Sequence, residues 1–281
     1  MLSQEKKNML GQTRSLQYGD VTVHEYQAPE SAVLVHSTIV EGPTRLVLFD
    51  AQLLLPFATE LADYIDGLGK PLDRIVISHV HADHWSGLYV LAQRFPGVPI
   101  YALPSVQGFI REQGQTILDN RMVSGFGPRM APSPVAPDRV LYEGSQTVDT
   151  VEYEFRAFDE GESEHQIVVR LPQQGVLLAF DLVASSRHHH FPARPFFDNW
   201  VAILRTLERM PFETLMAGHG VPVDRSDIVA TVEYAEAAKE AYAASSDPGA
   251  FAQAMKDRFP ERDHGEWLDF AGLLLYQQIY P

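Results

Sequence analysis

Apolar and polar positions alternate over the first 50 residues in a way that predicts short strands. Residues 21–26, 31–36 and 44–49 are β-branched runs separated by turn-forming stretches at 28–30 and 41–43. A meander of hairpins is therefore expected, after a polar leader over residues 1–18. The period then changes. From Pro56 to Leu68, apolar residues fall at Leu61, Ile65 and Leu68, the spacing of one helical face. Residues 74–77 read as a buried strand, 88–94 as a helix, 98–103 as a strand and 106–113 as a helix. Residues 125–138 are rich in Pro and Gly and have no period, which predicts a long loop of the kind that often carries function. Strand patterns return at 147–155, 165–171 and 175–180. A Pro-initiated helix follows, with Phe196, Trp200 and Leu204 at i, i+4, i+8. A short strand at 212–216 and helices at 228–244, 250–259 and 266–280 complete the chain. Hairpins followed by strand–helix alternation predict one layered α/β domain over residues 1–281, sheets inside and helices outside, with residues 226–281 as a helical region packed on the body.

Composition narrows the function. The chain has 281 residues, 45% of them apolar and 21% charged, values ordinary for a folded protein. Asp and Glu outnumber Lys and Arg by 37 to 22, and the formal charge of -15 repels a phosphate backbone, so no nucleic-acid partner is expected. There is no Cys, which excludes disulfides, thiolate ligands and a cysteine nucleophile. The apolar runs before Asp50 and Asp181 are too short to cross a bilayer, so no membrane partner is expected and a cytoplasmic location is. The apolar C-terminal segment packs either on its own sheet or on a second copy, and a homodimer is the expectation.

The chemistry concentrates in residues 79–84, where His79, His81, Asp83 and His84 follow an apolar strand and precede a helix. Imidazole and carboxylate are the donors for zinc, iron or manganese. So many polar groups where strand meets helix are costly unless something pairs them. In an extended run His79 and His81 point the same way and can grip one ion, while Asp83 and His84, past the bend, can turn toward a second. Further ligands are needed, and His165, Asp181 and His219 stand at strand ends, the last between Gly218 and Gly220.

The run from Ser78 to His84, with the order of His165, Asp181 and His219 after it, resembles the signature of the metallo-β-lactamase superfamily, in its dinuclear hydrolase form. The resemblance spans about residues 20–225 and implies a four-layer αββα sandwich. It also implies two divalent metal ions, zinc first and iron or manganese as alternatives. His79, His81 and His165 would hold one ion and Asp83, His84 and His219 the other, with Asp181 bridging. Asp50 matches an aspartate that supports such sites without ligating, although it also stands where it would cap the helix from residue 54. Phe180 occupies a position that is usually Gly in the family.

A small-molecule hydrolase is implied, using a metal-bridging hydroxide to cleave an ester, lactone or related acyl bond, with Asp83 as the catalytic carboxylate. Ala184 stands where the superfamily's lactonases carry Tyr, which counts against homoserine lactones. A glyoxalase II-like thioesterase and an iron-dependent oxidoreductase resembling persulfide dioxygenases are the alternatives. His188, His189 and His190 form a second group, either a locally packed loop or a source of substrate contacts, since adjacent residues make a poor single-metal cage. Trp85 is either core or site wall, and Phe196 and the aromatic 191–197 segment are candidates for the pocket lining.

Overall fold

The computed structural model describes residues 10–121, 126–190 and 192–277. The chain divides into two compact units, Met1–Phe155 and Arg156–Pro281. In the first, the alternating segment forms strands β1 (Gln12–Tyr18), β2 (Val21–Gln27), β3 (His36–Glu41) and β4 (Leu46–Phe49), each antiparallel to the next. Helix α1 (Leu55–Gly67) then crosses to the parallel strand β5 (Leu72–Val76). It buries Phe57, Leu61 and Ile65, each contributing about 2 kcal/mol by removal from water. After β5 come α2 (Ala82–Trp85), α3 (Leu88–Arg94), β6 (Ile100–Ala102), α4 (Pro104–Arg121) and β7 (Arg139–Val140). The resulting sheet runs β1 to β7 in order, antiparallel through β4 and parallel from there. Strand β8 (Gly144–Val148) pairs with β9 (Val151–Asp159), which ends in the second unit.

In the second unit β10 (His165–Leu171) and β11 (Val176–Phe180) are antiparallel. Helix α5 (Phe197–Glu208) leads to β12 (Thr214–Ala217), parallel to β11, and the strand order is β12-β11-β10-β9. Trp200, Leu204 and Leu207 of α5 pack with Leu177, Leu215 and, from α6 (Arg225–Ala244), Ile228 and Val232. Asp224 caps α6 in a reciprocal capping box with Asp227. Helices α7 (Pro248–Arg258) and α8 (Glu266–Gln277) bury Phe251, Met255 and Leu268 against Tyr234 and Ala238 of α6 and Phe197 of α5. Mixed sheets with flanking helices are the αβ and βα parts of the expected sandwich. Among the described residues no helix is long and apolar enough to cross a membrane.

Three local expectations differ. The polar leader ends in a strand, because β1 is an edge whose side chains are exposed or half-buried and therefore lack an apolar signature; residues 1–9 lie outside the described residues. Where a strand was expected over residues 31–36, a 3-10 turn at Glu30–Ala32 is followed by Val33 and Leu34 at φ 55 and 54, and strand β3 starts only at His36. Residues 147–155 hold a hairpin corner, with Asp149 and Thr150 at φ 48 and 71. Asp149 accepts hydrogen bonds from the backbone N–H of Thr44 and Arg45, which fastens that corner to the β3–β4 turn.

The β1–β3 end carries a buried ionic network. Glu25 is 5% exposed and takes Arg14 Nη2 at 2.9 Å and His36 Nδ1 at 3.2 Å. Burial pushes its carboxyl upward, but the charges and hydrogen bonds of His36 and Arg14 outweigh that and hold it below the usual carboxylate range. A carboxyl with a depressed folded pKa stabilises the fold above its ordinary value of 4.5, and that contribution disappears as pH falls through the folded value. Glu25→Gln should lower stability by about 3 kcal/mol at neutral pH. In denaturant titrations the gap between variant and wild type should shrink as the medium is acidified below the carboxylate range.

Candidate metal centre

In the first unit the histidine turn is built by interlocked backbone. Ile77 N–H donates to Tyr101 O at 2.9 Å and ends the β5 register, so the chain is released just before His79. Ala51 N–H donates to His84 O at 2.7 Å and Gly87 N–H to Gln52 O at 2.8 Å, tying residues 51–52 to the C-terminal end of α2. A Cβ on Gly87 would stand 1.8 Å from Ala51 O, so only glycine permits this approach. Trp85 is fully buried and its Nε1–H donates to Val80 O at 2.8 Å, which closes the turn.

Asp50 is the acceptor that orders this turn. It is 1% exposed and takes the Ser78 backbone N–H, the Ser78 hydroxyl and His84 Nδ1–H, each at 2.8 Å. Because the hydroxyl donates to Asp50, its lone pair accepts His79 Nδ1–H, also at 2.8 Å. Both rings then carry their lone pair on Nε2, the tautomer a metal ligand needs. The His79 ring lies 4.8 Å from that of His81 and 4.1 Å from that of His84, and Asp83 Oδ2 is 3.6 Å from His84 Nε2. Asp50 does not cap α1, whose N-cap is Leu54 with no side-chain bond. Its φ of 63 is a strained value costing on the order of 1–3 kcal/mol, retained where three donors converge.

The second unit brings Asp181, His219 and Glu162 together. Asp181 follows β11 and is 4% exposed; its Oδ2 is 3.2 Å from His219 Nε2. Phe180 before it takes φ 48, which accounts for a glycine preference at that position, and here a buried phenyl ring occupies it. Ligand atoms of Glu162 and Asp181 lie within 4.8 Å, and Glu162 is 1% exposed. The expected ligand His165 is turned elsewhere: its side chain is 37% exposed and its Nδ1 meets Asp159 Oδ1 at 2.8 Å. The sequence reading passed over Glu162 as one acid in a polar run. Nothing in the sequence singles it out from the neighbouring acids; its burial does.

The histidine triplet separates into three roles. His190 Nε2–H donates to Asp181 O at 2.8 Å and its ring packs 5.4 Å from Trp200, so it buttresses the backbone of Asp181. His189 is 2% exposed against Tyr234, with Nδ1 3.3 Å from the phenol oxygen. Burial, helped by Arg262, pushes its pKa down to about 4, which marks a neutral packing ring. His188 lines a pocket with Asp181, Ala184, His219 and Trp267. Phe196 is the N-cap of α5 and is absent from that lining; Phe191 lies outside the described residues.

Each unit therefore presents buried imidazole and carboxylate donors, with ring tautomers set from behind in the first. That donor chemistry fits divalent zinc, iron or manganese, and a bound cation would offset the desolvation of Asp83, Asp181 and Glu162.

Among curated protein sequences none matches the chain. Solved structures resemble it in fold alone. The metallo-beta-lactamase from Pontibacter korlensis aligns at 19% identity and TM-score 0.60, over 80% of this chain and 99% of that one. TMB-1 aligns at 16% identity and TM-score 0.61, over 80% and 97%. FIM-1 from Pseudomonas aeruginosa, solved in a mono-zinc form, aligns at 19% identity and TM-score 0.57, over 83% and 98%. Residues 31–219 match the metallo-beta-lactamase superfamily model, and with these metal-ligating residues the chain belongs to that superfamily as a metal-dependent hydrolase.

Proposed function

We propose that the chain hydrolyses an ester, lactone or related acyl bond of a small molecule. Two divalent ions, zinc by preference, would be held by His79, His81, Asp83 and His84 together with Glu162, Asp181 and His219. The observation that carries the reading is the buried turn whose imidazole tautomers Asp50 sets through His84 and Ser78. Superfamily membership supports pairing the two donor groups in one centre. Bound there, the cations supply Lewis-acid polarisation of an acyl carbonyl and lower the pKa of water toward neutrality. Asp83 accepts the proton of the attacking water and returns it to the leaving atom. With no Cys in the chain, a thiol nucleophile has no part. Ala184 leaves the pocket wall without the phenol expected of a homoserine-lactone site, which directs the choice toward other small esters and lactones.

One observation favours a second reading. Glu162 and Asp181 put two buried carboxylates among the donors of the second unit, an oxygen-rich set that also suits iron. Metal analysis of protein purified without added metal, joined to an oxygen-uptake assay, separates the two: zinc with ester turnover and no oxygen uptake supports the hydrolase.

The ligand assignment predicts a contrast. Glu162→Ala should reduce bound metal to about one ion per chain, whereas His165→Ala should leave metal content unchanged; mass-spectrometric metal quantification decides between them. Asp50→Ala, which removes the buried acceptor behind two ligand rings, should weaken metal affinity by about 10–100-fold in chelator competition. Asp83→Asn should lower kcat by on the order of 10²–10⁴ on any accepted ester while the protein stays folded. Unchanged turnover would remove Asp83 from the proton transfer.

A further inference from the structure

His188 is held in place by its backbone and left with nothing for its ring to bond. Its N–H donates to Ser185 O at 3.2 Å, its carbonyl accepts Arg262 Nη1 at 2.8 Å, and it bridges to Asp263. The side chain is 8% exposed, and neither Nδ1 nor Nε2 has a hydrogen-bond partner. Buried polar atoms are nearly always paired, so two on one ring point to a partner that arrives from outside. The surroundings are shaped to keep the ring there. Gly220 has φ +83, and a Cβ on it would stand 2.5 Å from His188 Cδ2. On the other side the ring lies 4.9 Å from that of His264 and 6.1 Å from that of Trp267. Those two rings stack at 4.4 Å with planes 11° apart, and His264 Nδ1 meets Glu266 Oε1 at 3.2 Å. The same pocket, about 10 Å³ and so with room for one substrate oxygen rather than a whole acyl group, also holds Asp181 and His219.

We propose that His188 is the substrate-orienting residue of this pocket: its ring N–H binds one oxygen of the acyl substrate, with the Trp267 ring at the pocket wall beside it. The proposal rests on the hydrolase reading for its substrate class, and on the pocket of the second unit alone for its geometry. His189 and His190 take no part, because their rings are committed to Tyr234 and to Asp181 O. The oxygen has two sources, the acyl carbonyl or a carboxylate elsewhere on the substrate, and the substrate panel tells them apart.

The test compares wild type with His188→Phe, which keeps a buried ring and loses both nitrogens, and with Gly220→Ala, which pushes the ring aside. Metal content and Tm are measured first, so that a misfolded variant is recognised; His188→Gln, with an amide near the Nε2 position, serves as the rescue. On phenyl acetate and on monomethyl succinate, His188→Phe should raise KM about tenfold, with kcat changed much less, and His188→Gln should recover part of it. A rise on both esters assigns the acyl carbonyl, and a rise on the succinate ester alone assigns the carboxylate. Unchanged KM in a metal-loaded, folded His188→Phe overturns the proposal. If wild type turns over neither ester, those two are not its substrates, and calorimetry with phenylacetate on the metal-loaded protein decides for His188. Binding that His188→Phe loses sustains the role, and equal or absent binding overturns it.

Discussion

The carboxylate of Asp50 is the point on which the first unit's chemistry turns. A buried anion at 1% exposure would be untenable alone, and here it collects three donors at 2.8 Å. Two of those interactions are structural, tying the end of β4 to the start of the histidine turn. The third, with the relay through Ser78, determines which nitrogen of His84 and His79 bears a proton. Fold and reactivity thus share one group: the bonds that close the turn are the bonds that prepare its rings as ligands. The close approach of Gly87 to Ala51 O complements this, because it holds the helix that carries Asp83 and His84 at fixed distance from the Asp50 loop.

Backbone strain accompanies both donor groups. Asp50 takes φ 63 and Phe180, next to Asp181, takes φ 48, conformations that side-chain-bearing residues adopt at a cost. In each case the strained residue ends a fully buried strand, β4 or β11, and re-aims the chain. Such positions persist where packing over-determines them. The apolar runs of β4 and β11 and the Trp200 cluster under Asp181 supply that packing in their respective units. His190, donating to Asp181 O while its ring lies against Trp200, links the strained corner to the core.

The helical C-terminal region does more than extend the core. Asp263 and Arg262 clasp the backbone around His188, and α8 delivers Trp267 to the same pocket. Residues after the superfamily match, Trp267 among them, thereby shape the wall beside Asp181 and His219.

Most elements were legible from periodicity. The α3 and β10 boundaries match the expected ones residue for residue, because α3 buries one face and β10 is buried through most of its length, and the apolar pattern records both. The edge strand β1 and the turn at residues 31–36 were not, since an exposed strand has no apolar face and a left-handed pair such as Val33–Leu34 runs against local propensity. The histidine turn was plain in sequence because its donors are adjacent and their types alone state the chemistry. Side-chain direction was not. Whether His165 or Glu162 turns toward Asp181 depends on how the loop enters β10, and a polar run contains no period from which to read that. The same holds for His188, His189 and His190: identical residues, neighbours in the chain, given three different surroundings by Trp200, Tyr234 and Gly220. Residue type and spacing determined that this chain would bind metal, while burial and direction, which only tertiary packing sets, decided which donors face inward.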